Sequence, residues 1–183
     1  MHGPPLAGWL LVALCVTVGA YCLHRTAVAA PNQRRAAGQD ALMGIGMAAM
    51  AVPASVFAPR PWTTGVYAVV FAAAAVYAVL PLRHAALHLH HAVGALAMVY
   101  MALAAGAAGP HARHTGMGVP LLTGALLAYY LVYVLRSGVR LVAAGGGAGP
   151  VTVSSGRLRE RAELVAGCRV AMGVGMFVML LGM

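Results

Sequence analysis

Apolar residues in this chain come in long runs, separated by short stretches where proline, glycine and arginine collect. Runs of roughly 17–25 apolar residues are long enough to cross a bilayer as α-helices. The pattern therefore predicts an all-α fold, an integral membrane bundle of about six transmembrane helices that forms one domain, residues 1–183. Pro53 falls inside the second run and is expected to bend that helix just beyond Met50. The predicted helices cover Leu6–Leu23, Ala41–Ala58, Thr63–Leu82, His88–Ala108, Val119–Leu135 and Leu164–Met183.

Composition supports the membrane assignment. Hydrophobic residues make up 62% of the 183 residues and charged residues only 8%, whereas a soluble domain has about a quarter charged residues. With a mean hydropathy of +0.85, the chain has too few polar side chains to cover a surface that faces water. We therefore expect a multi-pass protein of the plasma membrane without a soluble domain. The segment Gly145–Gly156 is predicted to be a flexible, Gly/Ser-rich cytoplasmic loop.

The arginines predict the orientation of the bundle, because the chain has no lysine. Ten of the twelve arginines fall at the connections after the first, third and fifth predicted helices, and only Arg60 and Arg113 fall on the other side. This bias places the arginine-rich connections in the cytoplasm and both termini outside it. The net charge of +9 is thus a topology signal that requires no nucleic-acid partner. The expected partner is the lipid bilayer, with some attraction to anionic lipid.

A repeated motif is the main indication of chemistry. The pattern Met-Gly-hydrophobe-Gly-Met-x-x-Met occurs at Met43–Met50 and again at Met172–Met179. At 3.6 residues per turn, the methionines of each copy share one helix face. If all six helices span, the second, fourth and sixth run in the same direction, so histidines at the start of the fourth lie near the level of the two repeats. His90 is expected to point elsewhere. The predicted metal-binding residues are Met43, Met47, Met50, His84, His88, His91, Met172, Met176 and Met179.

Thioether sulfur is a soft donor that favours Cu(I), and imidazole binds copper, zinc and iron. The glycines of each repeat would let the helices approach closely enough for their sulfur atoms to share an ion. We therefore predict a copper protein that handles or transfers Cu(I). A metal donor or acceptor protein would be its partner, and a homo-oligomer is compatible with this interpretation. Methionine stripes also serve as plain packing material, so the motif alone does not establish a metal site.

Other interpretations remain open at this stage. His24, on the same predicted face as the other inner histidines, could complete a b-type haem site. A membrane enzyme acting on a lipid or prenyl diphosphate could use the inner arginines, with Asp40, Glu163 and His88 as catalytic residues. A structural subunit would use the stripes only for packing. The cysteines, Cys15, Cys22 and Cys168, are expected to be packing thiols, and an outer His111-x-x-His114-x-x-Met117 cluster could collect an ion.

The chain resembles an uncharacterised group of small actinobacterial multi-pass membrane proteins with a Met-rich second helix and a His- and Met-bearing fourth helix. The residues that carry the resemblance are His2-Gly3-Pro4-Pro5, the segment Asp40–Met50, and His88–Met101. The resemblance implies the membrane fold and no established activity. A looser similarity, confined to a Met-x-x-x-Met spacing on a membrane helix, links the chain to eukaryotic copper importers, which have a different number of helices.

Overall fold

The computed structural model describes residues 5–52, 56, 61–80, 85–107, 119–145 and 153–182. All secondary structure in these residues is helical, which confirms the all-α prediction and the number of helices. Five of the helices are long and apolar enough to cross a membrane, and α2 is the exception. The helices are α1 (Pro5–Val28), α2 (Pro31–Ala51), α3 (Pro61–Val79), α4 (Ala85–Ala107), α5 (Pro120–Gly145) and α6 (Val153–Leu181).

The second helix differs most from its prediction. It begins at Pro31, ten residues before the predicted start, and ends at Ala51, seven residues before the predicted end at Ala58. Proline suits the first turn of a helix, where its missing N–H costs nothing. At the other end Val52 has an extended backbone (φ −59°, ψ 125°), because a residue that precedes proline is pushed out of the helical region. The predicted bend is therefore wrong, since the helix ends before Pro53.

The fifth and sixth helices are longer than their apolar runs. Helix α5 continues to Gly145 instead of ending at Leu135, and α6 begins at Val153 instead of Leu164. Hydropathy detects only the lipid-facing part of a helix, whereas the hydrogen-bonded backbone continues through arginine-bearing turns into the interface. Both ends of the predicted loop, Gly145 and residues 153–156, belong to these helices. Residues 146–152 lie outside the described residues, so for them the loop remains a prediction.

Consecutive helices pair as three antiparallel hairpins, α1 with α2, α3 with α4, and α5 with α6. The first pair is held by two glycines that face each other. A methyl group at Gly44 would lie only 2.9 Å from the Cα atom of Gly19, so the two backbones are in direct contact. Small residues at such positions let membrane helices gain van der Waals contact along their length.

Helices α2, α4 and α6 run in the same direction, as predicted. Asp40 of α2 contacts His91 of α4, and Met43, one turn further along, lies against Gly94. Towards α6, Asp40 contacts Arg169, and Met47 lies beside Gly175. Contacts that advance together along both partners occur only between parallel helices. The three helices therefore present the two methionine repeats and the fourth-helix histidines to a common interior.

Candidate metal centre

The methionines of both repeats face the interior of the bundle. Met47 and Met176, the middle methionines of the two copies, are 0% and 2% exposed, and Met172 is buried as well. Met43, Met50 and Met179 are half-buried and pack against the same core. The thioethers of Met47, Met172 and Met176 therefore lie inside the protein.

A small cavity of about 20 Å³ lies where α2, α4, α5 and α6 meet. Because a cavity needs roughly 10–15 Å³ to hold a water molecule, this one can hold a single water or a single ion. Sulfur donors reach it from both repeats, and adjacent imidazoles reach it from α4. Its lining residues are Asp40, Met43, His90, His91, Gly94, Tyr130, Met172, Gly173 and Met176.

Ionisable side chains lie at the cavity: Asp40 and His91 line it, and Arg169 pairs with Asp40. Asp40 and His91 are both buried, and the Nε2 atom of His91 lies 2.7 Å from Oδ1 of Asp40. The second carboxylate oxygen, Oδ2, lies 3.5 Å from Nε of Arg169, an ion pair without hydrogen-bond geometry. Charges inside a membrane bundle are costly unless they are paired, and they mark functional sites more often than other positions do. This cluster therefore singles out the cavity among the interior regions of the bundle.

Aromatic side chains of α5 pack against His90, which lines the cavity. The His90 ring stacks on Tyr133 with 3.8 Å between the ring centroids, and its Nδ1 atom lies 3.0 Å from the hydroxyl oxygen of Tyr129. The expectation that His90 points elsewhere is wrong. His90 and His91 differ by about 100° around α4, but the cavity lies between α2 and α5, so it receives both rings.

Tyr130 adds a further polar group to the cavity. It is 1% exposed, and its buried hydroxyl has no hydrogen-bond partner among the residues that the structure describes. Buried hydroxyls are almost always hydrogen-bonded. The hydroxyl is thus available to a molecule or ion in the cavity that it lines.

Two more sulfur atoms lie inside the bundle beside Gly175 of α6. A methyl group at Gly175 would be 3.6 Å from Sδ of Met47 and 3.7 Å from Sγ of Cys15, so a thioether and a thiol approach the same point on α6. Cys15 and Cys22 are buried and Cys168 is half-buried, all as free thiols, which agrees with their predicted role in packing.

Four of the predicted ligands meet at the cavity: Met43, His91, Met172 and Met176. Met47 lies next to Gly175 but does not line the cavity, and Met50 and Met179 pack elsewhere on the core. His88 belongs to α4, but its side chain is not among those described. The predictions for His84, His111, His114 and Met117 fall outside the described residues.

The residues proposed for the alternative functions are spread apart. His24 is exposed on α1, whereas His91 is buried. Glu163 is half-buried and lines a separate groove between α1 and α6, together with Cys168. Asp40 lies in the cavity. Among the described residues, no group of three or more His, Cys, Asp and Glu side chains is arranged to hold a metal ion. A metal site here would thus depend on thioether donors.

Sequence reasoning missed Arg169, His90 and Tyr130. Arg169 could have been found, because it precedes Met172 by three residues and Met176 by seven, on the same face of α6. The other two depend on which side of α4 receives α5. Helical periodicity within one chain segment carries no information about that packing.

A model of the family described as "Domain of unknown function (DUF5134)" matches residues 32–183. The matched segment contains nearly all of α2 and the whole of α3 to α6, and thus every residue that lines the cavity. Comparisons with curated proteins and with solved structures give no match.

Proposed function

We propose that this chain, which belongs to the family of domains of unknown function designated DUF5134, is a multi-pass membrane protein that binds one Cu(I) ion between α2, α4 and α6. The observation that carries the proposal is the cavity of about 20 Å³, which is lined by thioethers from both repeats and by two imidazoles. Its volume suits one ion.

The donor set favours a soft ion. Three thioethers, those of Met43, Met172 and Met176, reach the cavity from two helices, and thioether ligands favour Cu(I) over Zn²⁺, Mg²⁺ or Ca²⁺. Hard cations prefer six or more oxygen ligands, and the one carboxylate in the cavity is already paired with His91 and Arg169. A neutral thioether is also cheap to bury in a membrane.

The imidazoles would complete the coordination, and their neighbours would orient them. A ring nitrogen of His90 contacts the Tyr129 hydroxyl, and a ring nitrogen of His91 contacts Asp40. Metal-binding histidines commonly use one ring nitrogen in this way, which fixes the ring and makes the other nitrogen a better donor. We propose that one of these two rings joins the thioethers around the ion.

The geometry favours this function over the alternatives. A cavity of about 20 Å³ is far too small for a haem macrocycle. Asp40 and Glu163, the acids proposed for a membrane enzyme, line different cavities and so do not act on one substrate group.

Copper retention tests the proposal. Protein purified in detergent and stripped of metal is loaded with Cu(I) under reducing conditions, passed through a desalting column and analysed for metal by mass spectrometry. We expect close to one copper per chain, and little retention of Zn²⁺ offered in the same way. The double variant Met43→Leu/Met176→Leu should retain little copper, since it removes thioethers from both repeats.

The matched control is Met98→Leu/Met101→Leu. These methionines are buried too, at 0% and 5% exposure, but they do not line the cavity. Methionine-to-leucine changes usually cost less than about 1.5 kcal/mol each in a core, so helical content by circular dichroism should persist in both variants. Equal copper retention by the two double variants would refute the proposal.

A further inference from the structure

A second, larger cavity lies on a different face of α2 from the one that carries Met43 into the first cavity. It is an open groove of about 720 Å³ between α2 and α3, near the first turns of α2 and the last turns of α3. At its mouth are Arg34 and Arg35, with Gln39 one turn deeper. Its function is separate from that of the candidate copper site.

The polar groups at the mouth are held in place. The Arg35 guanidinium lies 3.7 Å from the centre of the Tyr77 ring, and it donates a hydrogen bond to the Tyr77 carbonyl in the last turn of α3. Arg34 donates through Nε to the Ala29 carbonyl oxygen at 2.9 Å. Both arginines are thus fixed by the backbone, and neither forms an ion pair with an acidic residue in the described part of the groove, since none lines it.

Two buried donors on residues that line the groove have no hydrogen-bond partner in the part of the chain that the structure describes. Gln39 is 9% exposed, and its Nε2 atom has no hydrogen-bond partner among the described residues. The same is true of Nε of Arg35. A buried donor without a partner is unfavourable, so these N–H groups favour an acceptor that enters the groove. Two positive charges together with unpaired donors indicate an anionic oxygen ligand, such as a phosphate group.

Beyond the mouth the groove becomes apolar. Its walls are formed by Leu42 on α2 and by Val70, Ala73 and Ala74 on α3. Arg35 to Leu42 and Tyr77 to Val70 each span seven residues, which corresponds to about 10 Å along a helix. An anionic end followed by about 10 Å of apolar wall matches the headgroup and upper acyl chain of a phospholipid. A soluble phosphate would leave that wall uncovered.

We propose that this groove binds an anionic phospholipid, with its phosphate at Arg34, Arg35 and Gln39 and an acyl chain along Leu42 and Ala73. The arginine-bearing end of α2 is predicted to lie on the cytoplasmic side, where anionic lipids and basic residues attract each other. The bound lipid would fill the groove and so contact both α2 and α3.

Lipid binding can be measured by native mass spectrometry of detergent-purified protein titrated with phosphatidylglycerol or with phosphatidylcholine of the same chains. We expect phosphatidylglycerol to bind at least fivefold more tightly. Each basic residue near a lipid surface contributes about 1 kcal/mol, which is about fivefold in affinity. Arg34→Gln/Arg35→Gln should thus weaken phosphatidylglycerol binding by about 25-fold. Arg136→Gln/Arg140→Gln, which removes two exposed charges from α5 outside the groove, should weaken it less than twofold.

Two further measurements separate a built site from general attraction. Ala73→Phe fills the apolar part of the groove without a change in charge, and it should weaken phosphatidylglycerol binding by at least fivefold. Glycerol 3-phosphate, the soluble part of the headgroup, should fail to displace the lipid at millimolar concentration. Equal losses in the two arginine pairs, unchanged binding in Ala73→Phe, or displacement by glycerol 3-phosphate would each overturn the proposal.

Discussion

The contact between Gly44 and Gly19 gives a sharp test of how α1 and α2 pack. In Gly44→Ala the new methyl group would lie 2.9 Å from the Cα atom and 3.0 Å from the nitrogen of Gly19, and 3.3 Å from the Cys15 carbonyl oxygen. Carbon atoms in favourable contact are about 3.5–4.0 Å apart. The obstructing atoms belong to backbone, which cannot move by a rotamer change. The two helices must therefore separate by roughly half an ångström or more along this contact.

Two effects of opposite sign determine the free energy of unfolding. Overpacking of this kind costs about 1–3 kcal/mol, whereas alanine is preferred over glycine in a helix by about 1 kcal/mol. The control is Gly124→Ala on α5, where nothing lies within 4 Å of the added methyl group. The control has only the favourable effect, so Gly44→Ala should be less stable than Gly124→Ala by about 1–3 kcal/mol.

Stability is measured by unfolding in mixed detergent micelles, with helical content followed by circular dichroism. We expect Gly124→Ala to unfold at a higher denaturant fraction than the parent protein, and Gly44→Ala to unfold at a lower fraction than Gly124→Ala. If Gly44→Ala proves as stable as Gly124→Ala, the direct backbone contact between α1 and α2 does not exist, and the interior that places Met47 beside Gly175 would need a different explanation.

Other interactions can be tested in the same assay. Asp40→Asn should lower the free energy of unfolding by about 3 kcal/mol, because it leaves Arg169 without its buried counter-charge. The double variant Asp40→Asn/Arg169→Gln should be more stable than the sum of the two single effects predicts. Simple additivity would argue against the ion pair. Tyr100→Phe should lower the free energy of unfolding by about 1–2 kcal/mol. The Tyr100 hydroxyl forms a hydrogen bond with the Thr123 hydroxyl at 2.7 Å and accepts one from the Val119 N–H at 2.9 Å. An unchanged unfolding midpoint would contradict this link between α4 and the start of α5.

Most of the fold could be predicted because it depends on local sequence. Long apolar runs indicate membrane helices through their length alone, and six helices are present. Helix α2 was misplaced because its polar first half, with Arg34, Arg35 and Asp40, does not resemble a membrane span. That half faces other helices and a groove. Hydropathy averages all faces of a helix, so it cannot recognise polar residues that neighbouring helices shield.

The candidate site was only partly predictable. The stripes of Met43 and Met176 follow from helical periodicity, and the same direction of α2, α4 and α6 follows from counting membrane crossings. Which residues face one another across helices depends on rotation and packing. Tyr130 enters the cavity from a helix without any predicted ligand, and Met50, though part of the repeat, does not reach the cavity. Such outcomes depend on tertiary packing and not on periodicity.

The position of α2 also bears on the orientation of the whole chain. Hydropathy alone gives five candidate spans, without α2, and five crossings would put the termini on opposite sides of the membrane. However, α2 is about 32 Å long at 1.5 Å per residue, and it lies alongside α4 from Asp40 to Met43 and alongside α6 from Asp40 to Met47. Because α2 advances in step with two helices that cross, and its one acidic residue, Asp40, is paired inside the bundle, we expect it to cross with them. Both termini should then lie outside the cytoplasm. Alkaline phosphatase fused to the C-terminus should be active and a fluorescent protein fused there should stay dark; the reverse result would mean that α2 does not cross.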